Sequence, residues 1–281
     1  MDPVRVVAGF AFVTITSISL IIYLKIIYLF ISKLKYRALQ CYKVMIQQGI
    51  VQCLMCPGIV LFGLAILLDK DFCGVPSLGQ KLTVACIKSI ILLNFVLALD
   101  RLKVICDWNY PRIVVPVLLA VSWAFGVIQF ILLLSPVADF YVDVETISSK
   151  YNLSYPIGYV LLKTTFYVTL PTSCLTFILY VIMCVFVVRK TSQLRTIQVD
   201  KKQKWIFTQA LIKHVFDVAQ IILYQLFVYV LPSSTVSNAA LFFLSIFNNL
   251  MLPPMLYLYF NRNLRREFFG TAVTVSIVVP T

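Results

Sequence analysis

Seven long apolar stretches, separated by short polar segments, alternate along the chain. A helix that crosses a bilayer needs about 20 predominantly apolar residues, and inside lipid it satisfies every backbone polar group within one segment. The pattern therefore predicts seven membrane spans, at about residues 7–32, 44–68, 80–105, 113–134, 157–188, 205–230 and 238–259. A short amphipathic helix on the inner membrane surface is predicted to follow, at about 260–270.

The composition agrees with this pattern. Hydrophobic residues make up 61% of the 281 residues, charged residues make up 12%, and the mean hydropathy is +0.94. Soluble proteins carry about 45–50% apolar and about 25% charged residues, so an ordinary soluble enzyme and a disordered protein are excluded. The first stretch is too long for a signal peptide and lacks a small-residue cleavage site. We expect one all-α seven-transmembrane domain over 1–281.

The distribution of positive charge predicts the orientation. A net charge of +13 would suggest a nucleic-acid partner in a soluble protein, but between apolar spans it indicates cytoplasmic loops beside the lipid bilayer and no nucleic acid. With the N-terminus outside the plasma membrane, the outer side holds only Arg5, Lys70, Lys81 and Lys150. The inner side then holds Lys33, Lys35, Arg37, Lys43, Arg101, Lys103, Arg112, Arg189, Lys190, Arg195, Lys201, Lys202, Lys204, Arg262, Arg265 and Arg266.

Two sequence features bear on modification. Asn152 begins the N-x-[ST] sequon in a loop that this orientation places outside, which predicts a glycan on Asn152. Of the eight cysteines, Cys73 alone lies in an outer loop, so we expect no disulfide between outer loops. Cys41 and Cys106 lie near the inner face, where they either carry acyl chains or simply pack.

Motifs for catalysis and metal binding are missing from the sequence. The one histidine, His214, cannot form a paired-histidine zinc site, and neither a G-x-S-x-G elbow nor a Walker phosphate loop is present. We therefore expect neither an enzyme nor a metal site. A small seven-span transporter or channel stays open as the alternative function, although the chain has no repeated halves and only nine glycines.

The third stretch ends with an acid beside an arginine, in the run LALDRL at 97–102. The triplet Asp100-Arg101-Leu102 resembles the D/E-R-Y/F element of rhodopsin-like G-protein-coupled receptors. Asp100 can hold Arg101 at rest and release it to a partner when the helices separate, as a two-state switch requires. A basic residue at the inner end of a span is also expected from topology alone.

The seventh stretch carries a second element of the same kind. Pro254-x-x-Tyr257 looks like the N-P-x-x-Y element of these receptors, with Pro253 where Asn or Asp would stand. Proline removes a backbone donor and allows a kink, after which Tyr257 can turn inward. In the basic run that follows, apolar side chains recur every four residues, which suits a short helix on the membrane surface.

Longer segments resemble the nematode serpentine chemoreceptors, especially class T, with class X as the next best match. They are KLKYR at 33–37 with CYKVMIQQGI at 41–50, LALDRL at 97–102 and KKQKWIFTQALIKH at 201–214. The resemblance implies a seven-helix receptor of a sensory cilium that detects an external chemical and activates a heterotrimeric G protein. Because the seventh stretch has no lysine, a retinal Schiff base is excluded, and we expect no cofactor.

Charged residues inside the spans are candidates for function, because a charge within a membrane is costly. Lys88 precedes Arg101 by thirteen residues and so lies about 20 Å toward the outer face. A receptor of this kind would hold a ligand at that depth, among the third, fifth, sixth and seventh spans. Lys88 can pair with an acidic ligand or a polar neighbour, or extend to the outer interface. Lys163 is the second pocket candidate.

The sixth stretch carries its own pair of charges. Lys213 and Asp217 are four residues apart and can neutralise each other on one helix face. The alternative is a latch between helices, from Asp217 to Arg101. The basic loop at 189–204 either docks an acidic or helical partner segment or follows the positive-inside bias.

Overall fold

The computed structural model of the chain describes residues 2–138, 140–193, 201–230 and 234–270. Within these ranges, seven helices are long and apolar enough to cross a membrane, which confirms the predicted all-α bundle. We number them span 1 to span 7 in chain order: Pro3–Ser32, Gln40–Leu68, Val75–Cys106, Val114–Leu134, Pro156–Gln193, Lys201–Val230 and Thr235–Phe260.

Shorter elements lie between and after the spans. One helical turn, Leu34–Arg37, joins spans 1 and 2, and a 3-10 turn, Phe72–Gly74, precedes span 3. Strands β1 (Phe140–Asp143) and β2 (Ser148–Tyr151) form an antiparallel hairpin between spans 4 and 5. A helix at Arg262–Phe268, which we call the surface helix, follows span 7.

Polar caps set several helix ends that hydropathy alone places a few residues away. The Asp2 carboxylate accepts a hydrogen bond from Val4 N at 3.0 Å, so span 1 begins earlier than its apolar pattern. Asn261 caps the surface helix by accepting from Leu264 N at 3.1 Å. Span 2 ends at Leu68, and the residue that follows it, Asp69, has a φ of 56° in the left-handed region.

Span 3 lies at the centre of the bundle and packs against spans 2, 4, 5 and 6 and against β1. Its tightest crossing is with span 2. A Cβ on Gly58 would lie 2.1 Å from the Gly79 carbonyl oxygen, so only glycine fits at this crossing. Small residues let helix backbones approach closely in membranes, where van der Waals packing drives association.

The hairpin covers the end of the bundle that the charge distribution predicts to face outside. Val142 and Ile147 are 8% and 1% exposed, and both join the outer core cluster. Val142 N donates to Ser77 Oγ at 3.2 Å, and Asn238 Nδ2 donates to Thr146 O at 2.8 Å. These hydrogen bonds tie the hairpin to spans 3 and 7. The sequence pattern did not predict it, because strands of four residues are too short to reveal a period.

Large apolar side chains cover much of the outside of the bundle. Ile21, Ile131 and Tyr167, on three different spans, are 69%, 58% and 64% exposed. Water does not tolerate a continuous apolar belt of this kind, whereas lipid tails do. The exposed belt and the buried core are therefore both apolar. For this reason hydropathy does not distinguish the lipid-facing side of a span from its core-facing side.

Candidate functional site

A buried ion pair lies near the inner end of span 3. Arg101 Nη2 donates to Asp100 Oδ2 at 2.6 Å, and the two side chains are 4% and 3% exposed. The Cys41 thiol of span 2 lies next to the guanidinium group. Separating buried partner charges is strongly unfavourable unless each finds another partner. The arrangement therefore holds Arg101 against its own helix.

Leu102 and Tyr257 lie together in the inner apolar cluster beside this pair. They are 3% and 6% exposed, and the Tyr257 ring lies 6.1 Å from that of Phe30, centroid to centroid. Tyr110 donates its hydroxyl proton to Leu99 O at 3.3 Å, which ties the loop after span 3 to the same region. The structure thus brings the inner ends of spans 1, 3 and 7 into one contact region.

Two successive prolines shape span 7. A backbone carbonyl in an α-helix accepts from the residue four positions on, and in a π-turn from the residue five positions on. For Asn249 these residues are Pro253 and Pro254, and neither has an N–H. The helix makes a π-turn here, at Phe247–Met251. Asn249 O instead accepts from Gln52 Nε2 at 2.9 Å and from Tyr23 Oη at 3.3 Å.

A polar network lies further out in the bundle, centred on Asp217 of span 6. Its carboxylate accepts from Lys213 Nζ, from Asn94 Nδ2 at 3.0 Å and from Asn248 Nδ2 at 2.8 Å. Gln48 Nε2 donates to Asn94 Oδ1 at 2.8 Å. We call Gln48, Asn94, Lys213, Asp217 and Asn248 the Asp217 network. It joins spans 2, 3, 6 and 7 through hydrogen bonds in a low-dielectric interior, where each bond is strong.

The latch that the sequence offered as an alternative, from Asp217 to Arg101, is not formed. No ion pair joins these two residues in the part of the chain that the structure describes. Asn94 precedes Arg101 by seven residues, which places the Asp217 carboxylate about two turns, or about 10 Å, nearer the outer face. The expected Lys213–Asp217 ion pair is formed.

A small cavity of about 30 Å³ lies between the Asp217 network and the inner cluster. Gln52 and His214 line it, and each has a buried atom, Gln52 Oε1 and His214 Nε2, that has no hydrogen-bond partner among the described residues. One water needs about 10–15 Å³ of such space, so the cavity has room for about two waters and not for an organic ligand. Residues of spans 2, 3, 5, 6 and 7 line it.

The two lysines proposed for a ligand pocket lie in different surroundings. Lys88 is 8% exposed and faces the bundle interior, and within the described ranges it forms neither a hydrogen bond nor an ion pair. Lys163 is exposed, and its ammonium group lies 4.8 Å from the centroid of the Tyr159 ring on its own helix. Lys163 therefore does not line the interior, because span 5 turns this face outward.

The remaining predicted residues lie near the membrane surfaces. Asn152 follows β2, is half-buried, and accepts a hydrogen bond from Ser154 N at 3.1 Å. Cys41 is 3% exposed against Arg101, so an acyl chain could not be attached there without displacing that side chain, whereas Cys106 is half-buried. Residues 194–200 of the basic loop lie outside the described residues.

Sequence reasoning missed most of the Asp217 network and the donors to Asn249. Asn94, Asn248, Gln48 and Gln52 are amides within apolar stretches, and each is buried or half-buried in the bundle. A polar side chain inside a span is expensive unless it finds a partner, so these amides were the available signal.

Comparisons with known proteins give one family and one fold. The sequence profile described as "Serpentine type 7TM GPCR chemoreceptor Srt" matches residues 2–279. No curated protein matches the sequence. Among solved structures, the crystal structure of squid rhodopsin superposes with a TM-score of 0.77 at 11% identity, over 98% of this chain and 87% of that chain. At this identity the likeness concerns the fold alone.

Proposed function

This chain belongs to the Srt family of serpentine 7TM GPCR chemoreceptors, and we propose that it binds an external small molecule among its helices and then activates a heterotrimeric G protein. Membership makes it a multi-pass receptor of the plasma membrane and not an enzyme. It confirms the resemblance to serpentine chemoreceptors drawn from the sequence, and it does not favour the transporter alternative.

The observation that supports G-protein activation is the buried Asp100–Arg101 pair at the inner end of span 3. A buried arginine whose ion pair, among the described residues, is with its own helix is available to another acceptor once the neighbouring helices move apart. Leu102 and Tyr257 pack beside it. Pro254 lies one helical turn before Tyr257 and follows the π-turn. We infer that outward movement of span 6 would uncover Arg101 for the G protein.

Ligand binding would reach this switch through the Asp217 network. Asp217 on span 6 is bonded to span 3 and span 7 at once, so any rearrangement of these spans must break or move these bonds. A ligand shifts such an equilibrium only by the difference between its affinities for the two arrangements. The buried Lys88 remains the candidate for ligand contact, whereas the exposed position of Lys163 does not support one.

The proposed orientation has the N-terminus outside, the surface helix inside, and a glycan on Asn152. The charge distribution supports it. Two ion pairs link neighbouring elements at the two ends of the bundle. They are Arg5 with Asp69 on the proposed outer side and Lys35 with Glu267 on the inner side. Residence in a sensory cilium is proposed from the family resemblance.

The test uses the purified receptor in lipid nanodiscs, with nucleotide exchange on a panel of heterotrimeric G proteins as the readout. Asp100→Asn removes the charge that holds Arg101, so ligand-free exchange on at least one G protein should rise several-fold. Arg101→Ala alone should show no such exchange. The double variant Asp100→Asn/Arg101→Ala should lose the rise that Asp100→Asn produces. Arg112→Ala, which removes an exposed arginine on the same side, is the control. If Asp100→Asn drives no exchange on any G protein, the proposed coupling is wrong.

A further inference from the structure

Lys88 of span 3 is a buried cation without a counterion. It is 8% exposed, and among the described residues it forms neither a hydrogen bond nor an ion pair. Other interior charges of this bundle are paired, as Arg101 is with Asp100 and Lys213 is with Asp217. Since an unpaired charge within a membrane is costly, Lys88 is a position at which a function is expected.

A second unsatisfied polar group lies on span 4. Gln129 is 2% exposed, and its Oε1 has no hydrogen-bond partner in the described ranges. Buried amides in proteins nearly always find partners, so an unpartnered one requires an explanation. Lys88 can only donate hydrogen bonds, whereas Gln129 Oε1 can only accept them. The structure nevertheless does not join them to each other.

The packing of spans 3 and 4 places the two groups within about one helical turn of each other in depth. A Cβ on Gly126 of span 4 would lie 1.9 Å from Ser89 Oγ and 3.3 Å from Ala85 O, which fixes the crossing point. Further out, Leu133 of span 4 and Val84 of span 3 lie in one apolar cluster. Lys88 is four residues inward of Val84, and Gln129 is four residues inward of Leu133.

Residues four apart share one helix face, so Lys88 lies one turn below Val84 and Gln129 one turn below Leu133, each on the face of its span that adjoins this cluster. The cluster also contains Phe140 of β1 and Leu161 of span 5. It therefore forms an apolar roof over the interface, between the two polar groups and the outside.

We propose that Lys88 and Gln129 form the polar end of a ligand site for a small organic acid that carries a hydroxyl group beside its carboxylate. This inference rests on the proposed receptor function and names the ligand class. The carboxylate would accept from Lys88 Nζ and from the Gln129 amide, and the hydroxyl would donate to Gln129 Oε1. An amine donor fits less well, because its positive charge would lie beside the ammonium group of Lys88.

The roof makes the site selective. Phe140, Leu161 and Leu133 are buried, so a ligand can enter only when the hairpin moves away from span 5. The remainder of the ligand then meets apolar side chains, which favours a short hydrocarbon chain next to the acid. A fatty acid that arrives from the bilayer offers the same carboxylate but no neighbouring hydroxyl, so the two sources can be separated.

The first experiment needs no ligand. In detergent or nanodiscs, the thermal unfolding temperature of the ligand-free receptor is compared with those of Lys88→Met and Gln129→Leu. Both substitutions remove an unpartnered polar group and keep its volume, so neither should lower the unfolding temperature, and either can raise it. A loss of several degrees in either variant would mean that the side chain has a structural partner, and the proposal would be overturned.

The second experiment measures binding by the rise in unfolding temperature, for a panel of three- to six-carbon 2-hydroxy carboxylates. Their methyl esters, the matching acids without the hydroxyl, and long-chain fatty acids complete the panel. At least one hydroxy acid should bind wild type and the control Lys163→Met. Lys88→Met should weaken that binding by at least about 30-fold, and Gln129→Leu by about 3- to 10-fold. Lys88→Arg, which keeps the charge, should retain most of it.

The outcomes separate this inference from the proposed function. No binding by any hydroxy acid at millimolar concentration, stronger binding by the esters or fatty acids, or unchanged binding in Lys88→Met would each overturn the inference. Binding that depends on Lys88 but produces no nucleotide exchange on any G protein would support the site and contradict the receptor function. Nucleotide exchange that is driven only by neutral ligands would support the receptor function and contradict the hydroxy-acid site.

Discussion

The carbonyl oxygen of Asn249 offers a sharp test of how the double proline is accommodated in span 7. Pro253 and Pro254 remove both N–H groups that could reach this carbonyl along the helix, and side chains of two other spans replace them. Gln52→Leu removes the donor at 2.9 Å from span 2, and Tyr23→Phe removes the donor at 3.3 Å from span 1.

The magnitudes predict that the two substitutions are not additive. A hydrogen bond between membrane helices contributes about 0.6 kcal/mol on average, and after either single substitution the other donor still satisfies the carbonyl. When both donors are removed, the buried carbonyl is left without a partner, which costs about 1–3 kcal/mol. The double variant should therefore lose about 1 kcal/mol more than the sum of the singles.

Restoring the missing backbone donor provides the matched control. Pro253→Ala supplies an N–H four residues after Asn249, so in that background Gln52→Leu/Tyr23→Phe should cost less than it does in the wild type. Thermal unfolding in detergent, followed with a thiol-reactive dye that labels the buried cysteines as they open, measures the differences. If the double variant is simply additive, or if Pro253→Ala gives no rescue, the carbonyl is satisfied in another way and the reasoning is refuted.

Three further predictions concern other parts of the receptor. Asp217→Asn should raise ligand-free nucleotide exchange, because Lys213 loses its counterion and span 6 is held less firmly to spans 3 and 7; flat basal exchange would contradict this. Asn152→Gln should remove a glycosidase-sensitive mass shift in intact cells if the hairpin loop is outside, and equal mobility of both proteins would argue against that orientation.

The third of these concerns pH and the hairpin. Partial burial raises the pKa of Asp143, but hydrogen bonds from Thr146 and Lys150 outweigh it, and the net pKa is lowered. A carboxylate with a lowered pKa stabilises the folded hairpin above the unfolded value of about 3.9, and this contribution is lost as the pH falls through the folded pKa. Proteolysis within the hairpin should therefore increase below about pH 4, and less so in Asp143→Asn.

Local properties of the chain could be predicted from the sequence. The seven spans follow from hydrophobic length, which depends only on consecutive residues. The Lys213–Asp217 pair follows from four-residue spacing, and Asp100 and Arg101 are adjacent. The family resemblance rested on short motifs in the same way, and the profile match over 2–279 confirms it at the level of serpentine chemoreceptors.

The rotation of each helix about its own axis could not be predicted. In water, a polar face distinguishes the outside of a helix from its core, but in lipid both faces are apolar. Lys163 therefore resembled a pocket residue although it lies on the outside, and the sequence could not show that Lys88 is buried in the bundle. The helix pattern does not indicate which side chains meet across helices.

Tertiary structure alone decided which partners the polar groups take. Asp217 had both Arg101 and Lys213 as plausible partners in the sequence, and the depth of span 3 against span 6 selected Lys213, Asn94 and Asn248. The two prolines predicted an interrupted helix, but only the packing of spans 1 and 2 supplied donors to Asn249. The sequence thus determined how many helices cross the membrane, and the contacts between them determined which polar residues can act as a site.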